Sequence, residues 1–298
     1  LGDDPIDDTI RQRRALMSQA DAFEAVHVPT TLDLLEPARD RFRYQEAFVL
    51  QTILALRRKA MAASDATARP GSDDGLARAI EQRLPFALTE GQQNAVAEIR
   101  GDLARPAPMQ RLLHGEVGAG KTLVALLAMA TVVDSGGQAV LLAPTEVLAA
   151  QHHASISALL GELAEAGTLL GGSTGTQVVL LTGSASAASR REALLKIVSG
   201  EAGIVVGTHA LLNEAVQFAD LGLVVVDEQH RFGVEQRAAL LERGSGTSRP
   251  HLLVMTATPI PRTVAMTVFG DLDVTTLREL PAGRAGVSTF VVNESLAP

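Results

Sequence analysis

The run Gly115-Glu116-Val117-Gly118-Ala119-Gly120-Lys121-Thr122 constrains this chain more than any other feature. It fulfils the pattern G-x-x-x-x-G-K-[ST], and it stands between a short apolar run that reads as a strand and an apolar stretch that reads as a helix. Its glycines let the backbone turn tightly and aim successive amides at an anion, at a helix N-terminus whose partial positive charge favours phosphate. Lysine usage sharpens the reading. Of 26 basic residues only Lys59, Lys121 and Lys196 are lysine, so a lysine at the motif position is hard to ascribe to composition. Lys121 is therefore expected on the β- and γ-phosphates of ATP, and Thr122 on the accompanying Mg²⁺.

A strand, turn and helix of this kind require a parallel sheet around them, and the chain supplies one. Arg111 to His114, Gln138 to Ala143, Gln177 to Leu181, Gly203 to Val206, Leu223 to Asp227 and His251 to Thr256 read as strands. Most are continuously apolar, as strands covered on both faces must be. Helices are expected to start near Lys121, Glu146, Ser186, Val234 and Pro261, and the alternation predicts an α/β lobe with helices flanking a parallel sheet.

Upstream the pattern is helical. Phe48, Val49, Thr52, Ile53, Leu56 and Ala60 fall on one stripe, with Arg57, Arg58 and Lys59 in the last turn, where cations complement the helix dipole. Residues 64–75, SDATARPGSDDG, lack periodicity and are rich in breakers, which predicts a flexible linker. The expected organisation is a helical segment 1–63, a linker 64–75, the α/β lobe 76–286 and, from 287 to 298, the start of a connection onward.

A second chemical signal ends the strand Leu223 to Asp227. Asp227 and Glu228 follow an apolar run that would otherwise tolerate no acid. Beside a phosphate loop the pair implies hydrolysis: Asp227 holds the Mg²⁺ shell and Glu228 orients and deprotonates the attacking water.

Asp227-Glu228-Gln229-His230 is a DExH signature, and Met255-Thr256-Ala257-Thr258-Pro259 follows it. Together with Ala143-Pro144-Thr145-Glu146-Val147-Leu148-Ala149-Ala150-Gln151-His152, these stretches resemble superfamily 2 DNA helicases of the RecG type. The resemblance extends upstream through Phe23-Glu24-Ala25-Val26-His27-Val28-Pro29 and so covers nearly the whole chain.

It implies a RecA-like first helicase lobe, preceded by the segment that joins it to a wedge domain. Leu88-Thr89-Glu90-Gly91-Gln92 is similar to the family's adenine-reading motif, with Gln92 on the base and Phe86 either packed on that base or in the core. Gly115 through Thr122 bind the nucleotide. Pro144, Thr145, Thr182, Gly183, Thr208 and His209 resemble positions that track DNA phosphates. Gln229, His230, Thr256 and Thr258 resemble those that couple nucleotide to DNA, with a contact from His230 to Thr256 or Thr258 expected. Branched DNA, a second RecA-like lobe carrying arginines, and the wedge are the implied partners, and the chain reads as a fragment without either domain.

Composition limits how DNA is held. A net charge of -8 argues against a broad basic face, and eight Phe, one Tyr and no Trp make a poor base-stacking platform, which leaves local contacts through amides and hydroxyls. With no cysteine, disulfides and thiolate chemistry are excluded. His152 and His153 point to different sides of a helix without an acid at ligand spacing, which argues against zinc. No apolar run reaches the roughly 20 residues that span a bilayer, and the N-terminal residues lack the features of a signal peptide, so a cytoplasmic site is expected. Two alternatives stay open: the corresponding lobe of a transcription-repair coupling translocase, and a non-catalytic nucleotide-binding DNA scaffold.

Overall fold

The computed structural model describes residues 3–165, 174–227, 240–241, 248–257 and 272–279. The chain divides into two compact units, one built on residues 1–63 and one containing 64–259.

The first unit is helical: α1 (Asp8–Arg14), α2 (Gln19–His27) and the long α3 (Leu35–Ala62). Asp7 and Ser18 start α1 and α2 by accepting the backbone N–H of Thr9 and Asp21, donors that a helix cannot satisfy by itself. Ala22, Ala25 and Ala38 form a small core with Met17, Leu34 and Phe42 against it. Arg41 is fully buried within this unit. Its Nε donates to Met17 O at 2.9 Å and its guanidinium to Gln45 Oε1 at 2.7 Å and to Asp4, so the charge is both paired and hydrogen-bonded. The apolar stripe expected along α3 is not the face that is covered. Ala38, Arg41 and Leu54 are buried, whereas Val49, Ile53 and Leu56 are 40%, 44% and 62% exposed. Periodicity locates an apolar stripe but does not name what packs on it.

The second unit opens with α4 (Leu76–Arg83) and α5 (Glu90–Leu103) and continues through β1 (Gln110–Gly115), α6 (Lys121–Asp134), β2 (Gln138–Leu142), α7 (Glu146–Leu160), β3 (Val178–Leu181), α8 (Ala187–Val198), β4 (Ile204–Gly207), β5 (Leu221–Asp227), β6 (His251–Thr256) and β7 (Asp273–Leu277). Its strands form one sheet in the order β3-β4-β2-β5-β6-β1-β7, and every pairing is parallel. Each of the six expected strands is present within a residue or two of its expected ends. β7 was not expected: its sequence, DVTTL, lacks an apolar run because it lies at the sheet edge with only Thr275 and Leu277 buried. The helices expected near Val234 and Pro261 lie outside the described residues. Helix α6 is apolar all round, every residue from Leu123 to Val132 being buried, and it forms the centre of the core.

Residues 64–75 correct the expectation of a flexible linker. They form neither helix nor strand, yet they are tied along the second unit. Ala66 N donates to Pro106 O at 3.2 Å, Arg69 N to Leu103 O at 2.6 Å and Gly71 N to Ser135 Oγ at 2.9 Å. The buried Arg69 side chain pairs with Asp220 at 2.6 Å and donates to Ser135 O. Breaker residues signal the absence of periodic structure, which is different from the absence of partners.

Candidate functional site

Parallel strands deliver their carboxyl ends to one edge of the sheet, where open α/β sheets bind ligands. Here that edge divides. β1, β6 and β5 are consecutive neighbours and bring together the phosphate loop, Thr256 and Asp227, with His114 level with Thr256 and Asp227 level with Met255. β2, β4 and β3 occupy the other half and bring together the loops after Leu142, Gly207 and Leu181.

The loop from Gly115 to Gly120 has the form its glycines permit. Gly118 and Gly120 have φ of 86° and 87°, which a side chain would strain, and a Cβ at Gly120 would fall 2.3 Å from Gln92 Nε2. Ala119 is buried, Glu116, Val117 and Gly118 are exposed, and Lys121 and Thr122 open α6. Lys121 Nζ donates to Gly115 O at 2.7 Å and to Glu116 O at 2.9 Å, so the ammonium lies across the loop.

Gln92, given to the adenine by the sequence reading, is buried and committed to the protein. Its Oε1 accepts from Thr89 N at 3.0 Å, closing a capping box at the start of α5, and its Nε2 donates to Ala119 O at 3.0 Å. One N–H and one lone pair of the amide are thus used within the protein, and through them Gln92 supports the phosphate loop. Phe86 is 49% exposed, which excludes the core role left open for it.

Asp227 ends β5 with its side chain 13% exposed, and its Oδ2 lies 2.7 Å from Nε2 of His152, equally enclosed. Helical spacing in the sequence does not reveal this partner, because the acid is 75 residues away on the strand beside β2. His153 Nε2 lies 3.4 Å from Val178 O. Glu228, Gln229, His230 and Thr258 lie outside the described residues, while Thr256 is buried at the end of β6.

A Mg²⁺ site here would draw on hard oxygen donors, Thr122 Oγ1 at the start of α6 and the Asp227 carboxylate. Among the described residues no cluster of three or more His, Cys, Asp or Glu forms a cage. Mg²⁺ favours such a sparse protein set because it keeps its waters and takes phosphate oxygens, so these donors fit it.

At the other half of the edge, Thr145 caps α7 by accepting from Leu148 N at 3.3 Å. The adjacent Glu146 reaches across to the loop after β3 and accepts from Ser184 N at 3.0 Å and Ser184 Oγ at 2.5 Å. Those two hydrogen bonds hold its carboxyl below the usual carboxylate range, with the backbone of Gly183 and the charge of His209 adding to the effect. Of the expected track, Thr145, Gly183 and His209 are exposed, whereas Thr182 and Thr208 are buried. Thr208 Oγ1 has no hydrogen-bond partner among the described residues.

Known proteins share this architecture. The family model for the DEAD/DEAH box helicase matches residues 89–267. The chain is 50% identical to the ATP-dependent DNA helicase RecG of Mycobacterium bovis over 97% of its own length and 39% of the relative. It is 41% identical to the RecG of Bacillus subtilis over 98% of its length and 41% of that protein, so it spans about two fifths of these relatives. A solved RecG bound to a three-way DNA junction superposes with a TM-score of 0.78 at 35% identity, covering 96% of this chain and 37% of that one. The yeast splicing factor Prp28, at 16% identity and a TM-score of 0.51, covering 75% of this chain and 55% of its own, shares the fold.

Proposed function

The chain belongs to the DEAD/DEAH box helicase family, and on that premise we propose that it is the ATP-binding lobe of a RecG-type motor that couples ATP hydrolysis to remodelling of branched DNA, such as stalled forks and recombination junctions. The observation that carries this reading is the divided sheet edge, with a phosphate loop and a terminal acid on one half and three loops with hydroxyls and amides on the other. Likeness to RecG over nearly the whole chain supports it.

The phosphate-loop amides cradle the β- and γ-phosphates, and Lys121 exchanges the carbonyls of Gly115 and Glu116 for phosphate oxygens. Thr122 and Asp227 would hold Mg²⁺, which would supply positive charge to offset that of the phosphates. Glu228 accepts the proton of the water that attacks the γ-phosphorus, and the bond to the ADP oxygen breaks to leave ADP and inorganic phosphate. Gln92 keeps the loop in shape through Ala119 O, and Phe86 is placed on the surface, available to the base. Gln229, His230, Thr256 and Thr258 relay the state of this site to Pro144, Thr145, Thr182, Gly183, Thr208 and His209, which hold DNA phosphates. Arginines of a second RecA-like lobe complete charge stabilisation, and a wedge domain meets the branch point. The motor works in the cytoplasm; among the described residues no helix is long and apolar enough to cross a membrane.

The test uses the full-length two-lobed protein. Lys121→Ala is expected to abolish binding of a non-hydrolysable ATP analogue in calorimetry, and Glu228→Gln to bind the analogue while losing hydrolysis, because the amide cannot accept the proton. Parent-like affinity in the first variant or parent-like turnover in the second overturns the assignment.

A further inference from the structure

Helix α7 belongs to both halves of the sheet edge. It leaves β2 at Thr145, beside Glu146 and its contact with the loop after β3, and on its second turn it turns His152 toward the end of β5. His152 Nε2 and Asp227 Oδ2 are 2.7 Å apart, and each side chain is 13% exposed, so little water competes for either group. A carboxylate that must present one oxygen to a cation is free to rotate unless its other oxygen is held. Ligand groups held by an outer partner bind metal more tightly, and loss of that partner typically costs about 10- to 100-fold in affinity.

We propose that His152 is a positioning residue: its Nε2–H donates to Asp227 Oδ2, fixes the carboxylate with Oδ1 left for the Mg²⁺ shell, and ties the nucleotide site to the helix that opens at the DNA loops. The proposal rests on Asp227 being the magnesium aspartate. β2 and β5 are adjacent strands, so displacement of α7 at its N-terminus reaches the Asp227 carboxylate through one side chain. His152 connects the loops to the site through α7.

The experiment compares His152→Leu, His152→Gln and Asp227→Asn in the full-length protein, by calorimetry of a non-hydrolysable ATP analogue with and without Mg²⁺. The Gln amide places an N–H close to the position of Nε2. Leu is expected to weaken the Mg²⁺-dependent part of the affinity about tenfold and to leave metal-free nucleotide binding unchanged, while Gln stays within about threefold of the parent. In the parent, ¹⁵N resonances of the imidazole, assigned by their loss in the Gln variant, are expected to show the Nε2–H form and to shift when Mg²⁺ and nucleotide are added.

Equal loss with and without metal, equal behaviour of Leu and Gln, or an unprotonated Nε2 overturns the proposal. If Asp227→Asn removes the Mg²⁺ dependence and His152→Leu does not, the proposal alone fails. If Asp227→Asn leaves that dependence intact, the reading of the site fails and the proposal fails with it. Should the Leu variant not fold, the Gln variant and the imidazole resonances decide.

Discussion

Single side chains carry the sharpest consequences, and Thr208 is the clearest of them. A buried hydroxyl without a partner is unfavourable by about 1–3 kcal/mol relative to an apolar isostere; Thr208 Oγ1 has none among the described residues, and on the proposed reading DNA supplies it. Thr208→Val, which keeps the shape, is expected to raise stability by about 1 kcal/mol in urea denaturation and to weaken DNA binding by the full-length protein in an anisotropy titration. A variant that gains stability and holds DNA as well as the parent removes Thr208 from the track. The phosphate loop was legible because its chemistry is contiguous in sequence, with Lys121 following Gly120 at the start of α6. Gln92 was legible as a polar residue of the site, but its contact with the phosphate loop depends on which atoms meet it, and Ala119 O is 27 residues away. The contact of His152 with Asp227 had a fainter signal. Ala149, Ile156 and Leu160 are the buried members of α7, and a histidine between them at helical spacing points toward the sheet.

At the scale of elements, the sheet was legible and the course of residues 64–75, a strap tied along the second unit, was not. Buried parallel strands announce themselves as apolar runs, whereas β7 at the edge and residues 64–75 are specified by partners that adjoin them only after folding. A buried histidine of β6 holds the strap. His251 Nδ1 accepts from Met109 N at 3.0 Å and its Nε2 donates to Thr67 O at 3.1 Å, so one imidazole joins β6 to the strap and to the residue before β1. Burial lowers its pKa below the ordinary value of 6.5, and the positive charge of Arg69 adds to the shift. A neutral imidazole is thus favoured in the fold. Between the folded and unfolded pKa values the unfolded chain binds more protons, so this contribution to stability is complete above pH 6.5 and declines as pH falls toward the folded pKa. Amide exchange at Arg69 and Gly71, normalised for its intrinsic pH dependence, is expected to accelerate below that pH, and His251→Gln to remove the effect. Protection that is flat across the range in the parent contradicts the assignment.

For the molecule as a whole, the decisive quantity is how much of a motor one lobe contains. The chain spans 39% of the RecG of Mycobacterium bovis, and on the proposed reading its sheet edge supplies one wall for the nucleotide and one set of loops for DNA. Translocation needs two bodies that open and close on nucleotide, each gripping DNA in turn, because a ligand shifts a conformational equilibrium only by binding one state better than the other. The net charge of -8 gives no long-range attraction to phosphate, and the loops offer local hydroxyls and amides, some of them already occupied by the Glu146 carboxylate. The 298-residue chain by itself is therefore expected to bind ATP with Mg²⁺ weakly, at no better than micromolar affinity, since loss of the contacts from an opposite wall weakens binding about tenfold for every 1.4 kcal/mol. It is also expected to leave forked DNA intact, with ATPase activity that does not respond to added DNA. A labelled fork, ATP and the purified chain suffice for the measurement. Strand separation, or hydrolysis that rises several-fold with DNA, would show that one lobe holds both states of the motor.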